Sequence, residues 1–321
     1  MLASMTLLVG FIASQIGSLQ EQRFAEHERR LAAMERMGYE STILYLSATR
    51  SAGYAGIKTD IESDFEQSMF GNTSHLDFRG DELRLDGRWY KLSGSHSFSL
   101  QDAGSLASLR SDSLESVKAL LKSYEVSPSK IEKLTAALRD YTDRDFMPEL
   151  NGAERADYEA RNEPTNRYLS HPGQLMNVLG WQEQLTDLPD LLEEVTIYVG
   201  DRENYNTVTK HGLTRLGLDM AQEIQQIMDH RQYAVFSDLS EILKITGRIF
   251  ERDPMQVSFL PSSYLRLIIY EPLENLEYWS GISMTPMSRS APWVIDYRYK
   301  KSMRNEKNAS NSATNPPTGF L

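Results

Sequence analysis

The stretch Met1–Leu19, MLASMTLLVGFIASQIGSL, carries no charged side chain, and its reading decides the fold. At about 1.5 Å per residue, such a helical run nearly spans a bilayer core about 30 Å thick. It is polar for a membrane helix, with Ser4, Thr6, Ser14, Gln15 and Ser18, and it lacks the basic leader of a signal peptide. The readings that stand are a membrane anchor over 1–20, or a buried or start-truncated helix.

The helical pattern continues past the uncharged run. Phe24, Leu31, Met34 and Met37/Gly38 recur every three to four residues, with Glu and Arg on the opposite face. No proline interrupts residues 1–127, so one helix is predicted from near Met1 to about Ser51, ended by Gly53 and Gly56. A helix apolar in its first third and amphipathic afterwards fits either a plain anchor with a stalk or the architecture of pilins.

Beyond it the period drops from near four to two. ELRLDGRWYKL, Glu82–Leu92, reads as two short alternating runs joined by a hairpin turn at Asp86-Gly87, because that turn needs positive φ at both positions. Further strands are predicted at Val195–Val199, Tyr264–Tyr270 and Trp293–Tyr299, rich in branched and aromatic residues. Between the first and last strands lie amphipathic helical segments at 113–126, 128–141, 217–231 and 236–246. Ser127-Pro128 and Ser237-Asp238 are the expected starts of two of them. A helical block inside a series of strands reads as a domain inserted into an α+β fold. The expected division is an anchor over 1–20, a helix and first strands over 21–100, an inserted helical domain over 101–250, closing strands over 251–300 and a disordered tail over 301–321.

Composition narrows the function. The 321 residues carry a formal charge of −11, which disfavours nonspecific binding to nucleic acid. There is no cysteine, which excludes a disulfide scaffold, a thiolate zinc site and a cysteine nucleophile. The six histidines show no metal-ligand spacing, and no nucleophile elbow, Walker loop or dinucleotide fingerprint occurs. No enzymatic activity is expected. The Tyr264, Tyr270, Trp279, Trp293 and Tyr297 group reads as strand packing, with any exposed members available to a subunit interface.

The densest charge lies between Asp140 and Glu163, where eight carboxylates meet three arginines. Hard cations take six to eight oxygen ligands from such clusters, although the D-x-x-D-x-D spacing is not that of an EF-hand. The alternative is a solvated acidic loop screened by its arginines.

Several segments, in order, carry a family resemblance. They are FSLQDAGSLASL (Phe98–Leu109), LRDYTDRDFMPELNGAERADY (Leu138–Tyr158), PGQLMNVLGW (Pro172–Trp181), LPDLLEEVTIYVG, NYNT at Asn204–Thr207, GLDMAQEIQQIMDHR and FSDL. The series resembles the K-type minor pseudopilins of bacterial type II secretion. The departures are Tyr141 where the family usually has Trp, Gln174 near a usual acidic position, Val208 after the Asn-x-Asn-Thr pattern, and no prepilin leader.

The resemblance implies a pilin-like long N-terminal helix on a small antiparallel sheet, with a large inserted helical domain. It implies a structural subunit at the pseudopilus tip, a single-pass anchor in the inner membrane with its bulk in the periplasm, and export of folded proteins. Implied partners are the I-type and J-type minor pseudopilins and the inner-membrane secretion platform. It also implies calcium in the helical domain, held by Asp140, Asp143, Asp145, Glu154 and Asp157. Most pseudopilins carry a lipid-buried Glu early in the helix, paired with a neighbour's terminal amine; a tip subunit can lack it, and no acidic residue precedes Glu21 here. The competing reading is a membrane-anchored DNA-uptake receptor, because about 204–245 resembles a helix-hairpin-helix module with RLGLD as its hairpin.

Overall fold

A computed structural model describes residues 2–50, 52–59, 80, 82–158, 163–200, 202–218, 220–247, 257–302, 313–317 and 320. Helix α1 runs unbroken over Leu2–Thr49, as the sequence predicts. Only its last turns are held by the body of the molecule. Ile43 and Leu44 are buried with Leu83, Phe98, Leu100, Leu267 and Ile282. The Glu40 carboxylate accepts from the Ser280 hydroxyl at 2.7 Å and from the Arg298 guanidinium at 3.1 Å. By contrast Phe11, Ile16, Phe24, Leu31 and Met34 are exposed. Among the described residues no helix is long and apolar enough to cross a membrane. The expected anchor segment therefore forms a helix, but its serines and glutamine dilute its apolar character.

The sheet has five antiparallel strands in the order β11-β10-β9-β4-β3. These are β3 Asp86–Lys91, β4 Ser97–Asp102, β9 Tyr264–Glu271, β10 Leu276–Met284 and β11 Trp293–Ser302. The strands expected at Tyr264 and Trp293 are thus present. The hairpin placed at Asp86-Gly87 is not. The preceding run, β2 (Leu83–Arg84), pairs instead with β1 (Gly56–Ile57). The turn lies at Leu92–His96, where the Leu92 amide donates to the His96 carbonyl at 2.9 Å. Asp86-Gly87 begins β3 at an irregularity: Asp86 faces Gln101, and the next pair is Trp89 with Ser99. Gly87 has φ of +82°, and a Cβ there would meet the Gln101 side chain at 2.7 Å. A bulge and a tight hairpin turn both favour Gly at positive φ, so this dipeptide does not tell them apart.

The long insertion leaves from β4 and returns at β9. Its strand pairs are short: β5 (Ala107–Ser108) with β6 (Val195–Thr196), and β7 (Glu203–Asn204) with β8 (Val257–Ser258), both parallel. The five-residue strand expected at Val195–Val199 is only that two-residue β6. The first half of the insertion packs α2 (Glu115–Ser123), α3 (Pro128–Thr142) and α4 (Trp181–Asp187) around one core. Ser127 stands at the N-cap position of α3 with Pro128 in its first turn, the start expected, although its side chain makes no capping hydrogen bond. Trp181 is fully buried there and its indole N–H donates to the Leu134 carbonyl at 2.8 Å. The second half packs α5 (Lys210–Arg215), α6 (Ala221–Tyr233) and α7 (Leu239–Thr246) around Tyr205, Leu218, Ile227 and Phe236. Asp238 caps α7 by accepting from the Ser240 amide.

Buried Asp102 ties the insertion to the sheet. It accepts from the Ser262 hydroxyl at 2.5 Å, Thr207 Oγ1 at 2.9 Å and Ser105 Oγ at 3.1 Å. Trp279 and Tyr297 are buried, in keeping with strand packing.

The C-terminal residues correct the expected tail. Residues 303–312 lie outside the described residues, but Thr314 bridges to Tyr90 in parallel and its carbonyl accepts from the Lys91 amide at 2.8 Å. Phe320 is buried and stacks on Phe98. A polar stretch thus hides one apolar anchor, and the segment covers the outer edge of β3.

Candidate metal centre

The acidic loop grows out of the end of α3. Asp140, on its last turn, is fully buried, and its carboxylate accepts from the Glu149 amide at 3.2 Å. Gly152 backs onto it so closely that a Cβ would fall 1.9 Å from Asp140 Oδ2. Arg139 holds the Glu149 carboxylate with two nitrogens at 2.8 and 2.5 Å. Asn166 Nδ2 donates to the Asp145 carbonyl at 2.7 Å, and Asp145 Oδ1 accepts from the Met147 amide at 2.9 Å. The loop is therefore folded back and tethered at both ends.

This folding brings Asp143, Asp145 and Glu154 together, with one carboxylate oxygen from each within 4.8 Å of the others. Glu154 is only 7% exposed, and neither of its carboxylate oxygens has a hydrogen-bond partner. Asp143 Oδ1 is likewise buried without a donor. Burial is the largest influence raising the Glu154 carboxyl above the usual range, followed by the charges of Asp140 and Asp143. Burial, then the charges of Asp145 and Asp140, raises Asp143 likewise. Buried acceptors with no donor are costly. A hard cation would satisfy these oxygens and reverse the repulsion.

Two of the five sequence candidates stand outside this group. Asp140 spends its carboxylate on the loop backbone, and burial raises its pKa. Asp157 Oδ2 accepts from the Glu154 amide at 3.0 Å and so positions a member of the group. Sequence reading missed Glu149 and Asn166, whose role in shaping the loop appears only when it closes.

The helix-hairpin-helix segment shows little that would hold phosphate. Asp219 lies outside the described residues, while Gly217 takes φ of +92° between α5 and α6. Arg215 pairs with Glu203 at 3.2 Å and donates to the Ser105 carbonyl. Arg231 is buried and donates to the Val208 carbonyl at 2.7 Å. The module's arginines are engaged inside the protein, and among the described residues nothing favours the DNA-uptake reading.

Residues 97–198 match the family model for protein K of the type II secretion system. This stretch is similar to the protein K domain of type II secretion. The domain begins with β4, holds the whole Asp143, Asp145 and Glu154 group, and ends just past β6. The fold extends the likeness over more of the chain. It is similar to a chain in the crystal structure of the GspK-GspI-GspJ complex from enterotoxigenic Escherichia coli, with a TM-score of 0.55 and 17% identity, covering 88% of this chain and 100% of that one. Among curated proteins no sequence matches. The α+β architecture expected from the sequence is thus the architecture found.

Proposed function

We propose that the chain is a K-type minor pseudopilin, a structural rather than catalytic subunit at the tip of a type II secretion pseudopilus. The observation that carries this reading is positional. The stretch similar to protein K starts at β4 and covers the first half of the insertion of a pilin-like body, whose long helix projects with an unsupported apolar surface. An exposed apolar helix needs either lipid or other helices around it. The reading places the start of α1 in the inner membrane and the sheet and insertion in the periplasm, with I-type and J-type pseudopilins packed beside α1. The test is co-purification of the full chain with both of those subunits. Recovery of the three together supports the reading; recovery of the chain alone, from cells that make all three, contradicts it. A gel-shift assay at about 0.15 M salt should show no DNA complex, whereas a complex that dissolves steeply with salt would favour the rival.

We further propose that Asp143, Asp145 and Glu154 hold calcium. Their oxygen-only donors and the unpartnered Glu154 carboxylate support a hard cation over zinc. Backbone carbonyls of the loop and water would complete the ligand set. Bound calcium would neutralise the three carboxylates and hold the loop against α3. Its chemical role is structural.

A further inference from the structure

A concave groove of about 720 Å³ opens beside the acidic loop. Its floor is formed by Leu109, Leu114 and Leu138, and its walls carry Arg110, Arg139, Arg144 and Arg167 with Tyr168. A volume of this order is that of a ligand site (about 300–1,000 Å³). The composition is distinctive in a chain of net charge −11: four arginines and a tyrosine, and no lysine. Arg and Tyr are the residue types that dominate binding hot spots, whereas Lys is depleted at interfaces.

The four arginines are not equivalent. Arg139 is engaged with Glu149, and Arg110 donates to the Leu169 carbonyl at 2.7 Å while lying over the Tyr168 ring. These two are fixed. Arg144 and Arg167 are exposed on the rim and have no ion pair among the described residues. They are the free cationic donors of the groove, facing the carboxylates Asp112 and Asp143 in the same walls.

A second feature adjoins the groove. Between the groove residues Arg144 and Glu149 the chain carries Phe146 and Met147, which are 74% and 78% exposed, and Leu150 beyond them is 89% exposed. Three large apolar side chains at the tip of one loop are unusual unless something covers them. The loop does not flop outward for lack of anchoring, because Asp140, Arg139 and Asn166 tether it from three sides. The apolar tip is therefore presented on a braced support next to free guanidinium groups.

We propose that this groove and its apolar rim bind an extended protein segment that alternates carboxylate and apolar side chains. Arg144 and Arg167 would receive the carboxylates, and Phe146, Met147 and Leu150 would cover the apolar side chains. With Arg139 paired to Glu149, the lining sets Arg110, Arg144 and Arg167 against Asp112 and Asp143, a surplus of one positive charge that favours an acidic segment over a basic one, and the tip selects one with apolar residues over a purely charged one. The inference stands apart from the secretion role, and it shares Asp143 with the proposed calcium site.

The probe is a tetramethylrhodamine-labelled peptide of alternating glutamate and leucine, titrated with the full chain by fluorescence anisotropy. Saturable binding is expected, weakened about tenfold or more by Arg144→Glu with Arg167→Glu, and similarly by Phe146→Ser with Met147→Ser. Lys130→Glu with Lys133→Glu makes the same charge change on α3 away from the groove and should leave binding unaltered. All these positions are on the surface, so folding is checked by an unchanged Tm. No saturable binding, equal binding by the groove variants, or equal binding of a lysine–leucine peptide would overturn the proposal.

Discussion

Asp86, whose side chain is 9% exposed, and Glu154, buried, are both carboxylates largely withdrawn from water, and they have opposite surroundings. Asp86 lies among arginines: Arg88 contacts it at 2.7 Å and Arg231 at 3.7 Å. Burial alone would raise its pKa, but the hydrogen bond and charge of Arg88, with the charges of Arg231 and Arg84, hold it below the usual range. Glu154 has no such partner, and burial with the charges of Asp140 and Asp143 pushes it up. The first carboxylate is compensated by the protein itself and joins the sheet to α6. The second is left uncompensated, and that contrast is what motivates the proposed cation.

The two sites should respond to mutation and pH in opposite senses. The largest effect is expected at the compensated site. Asp86→Ala leaves Arg231, only 3% exposed in its side chain, without its carboxylate. Breaking a buried pair in this way costs about 3 kcal/mol or more, a fall in Tm of roughly 10 °C, read by thermal unfolding. A change of less than a degree would show that Asp86 adds nothing to the interface.

Calcium gives the next effect. The full chain should unfold several degrees higher in millimolar calcium than in EGTA, because a ligand at a hundredfold excess over Kd contributes about 2.7 kcal/mol. Asp143→Ala combined with Asp145→Ala should abolish the shift. A shift no larger than that of equal ionic strength would leave a solvated acidic loop and end the metal assignment.

A smaller effect separates the sites by pH. Groups with a raised folded pKa bind more protons when folded, so they stabilise the acid side, and that contribution is lost as pH rises through the raised value. Metal-free Glu154→Gln should therefore gain stability at neutral pH, on the order of 1 kcal/mol, and lose the calcium shift. Asp86 has the reverse sign: its contribution is present above about pH 4 and is lost as pH falls through its lowered pKa. Denaturant titrations against the parent, of Glu154→Gln at about pH 5 and 8 and of Asp86→Ala at about pH 3 and 5, read the two slopes, and slopes of the same sign would refute the contrast. The smallest effect is expected from Arg139→Ala, which removes the partly exposed tether to Glu149 and should cost no more than about 1 kcal/mol.

Much of the architecture was legible in the chain because its signals are local. The uncharged run, the proline-free stretch and the three-to-four spacing specify α1, and the N-cap residues Ser127 and Asp238 mark two helix starts. The signals failed where one residue type serves two geometries. Gly87 reads as a turn and works as a bulge. Leu276–Met284 was not read as a strand, because Ser280-Gly281 interrupts its alternation; there Gly281 leaves room for the Tyr297 ring, which a Cβ would strike at 2.0 Å. Phe320 in a polar tail gave no periodic signal at all. The acidic centre was visible as composition, but which three carboxylates converge depends on Asp140 turning inward to bind the backbone. The groove arginines come from separate segments and carry no sequence pattern.

Deletion with complementation separates a K subunit of a secretion pseudopilus, as proposed for this chain, from a DNA-uptake receptor. Removing its gene should abolish export of a folded type II substrate into the medium, leave DNA uptake intact, and be reversed by the full chain. Normal secretion in the deletion strain, or a loss of DNA uptake instead, would contradict the account.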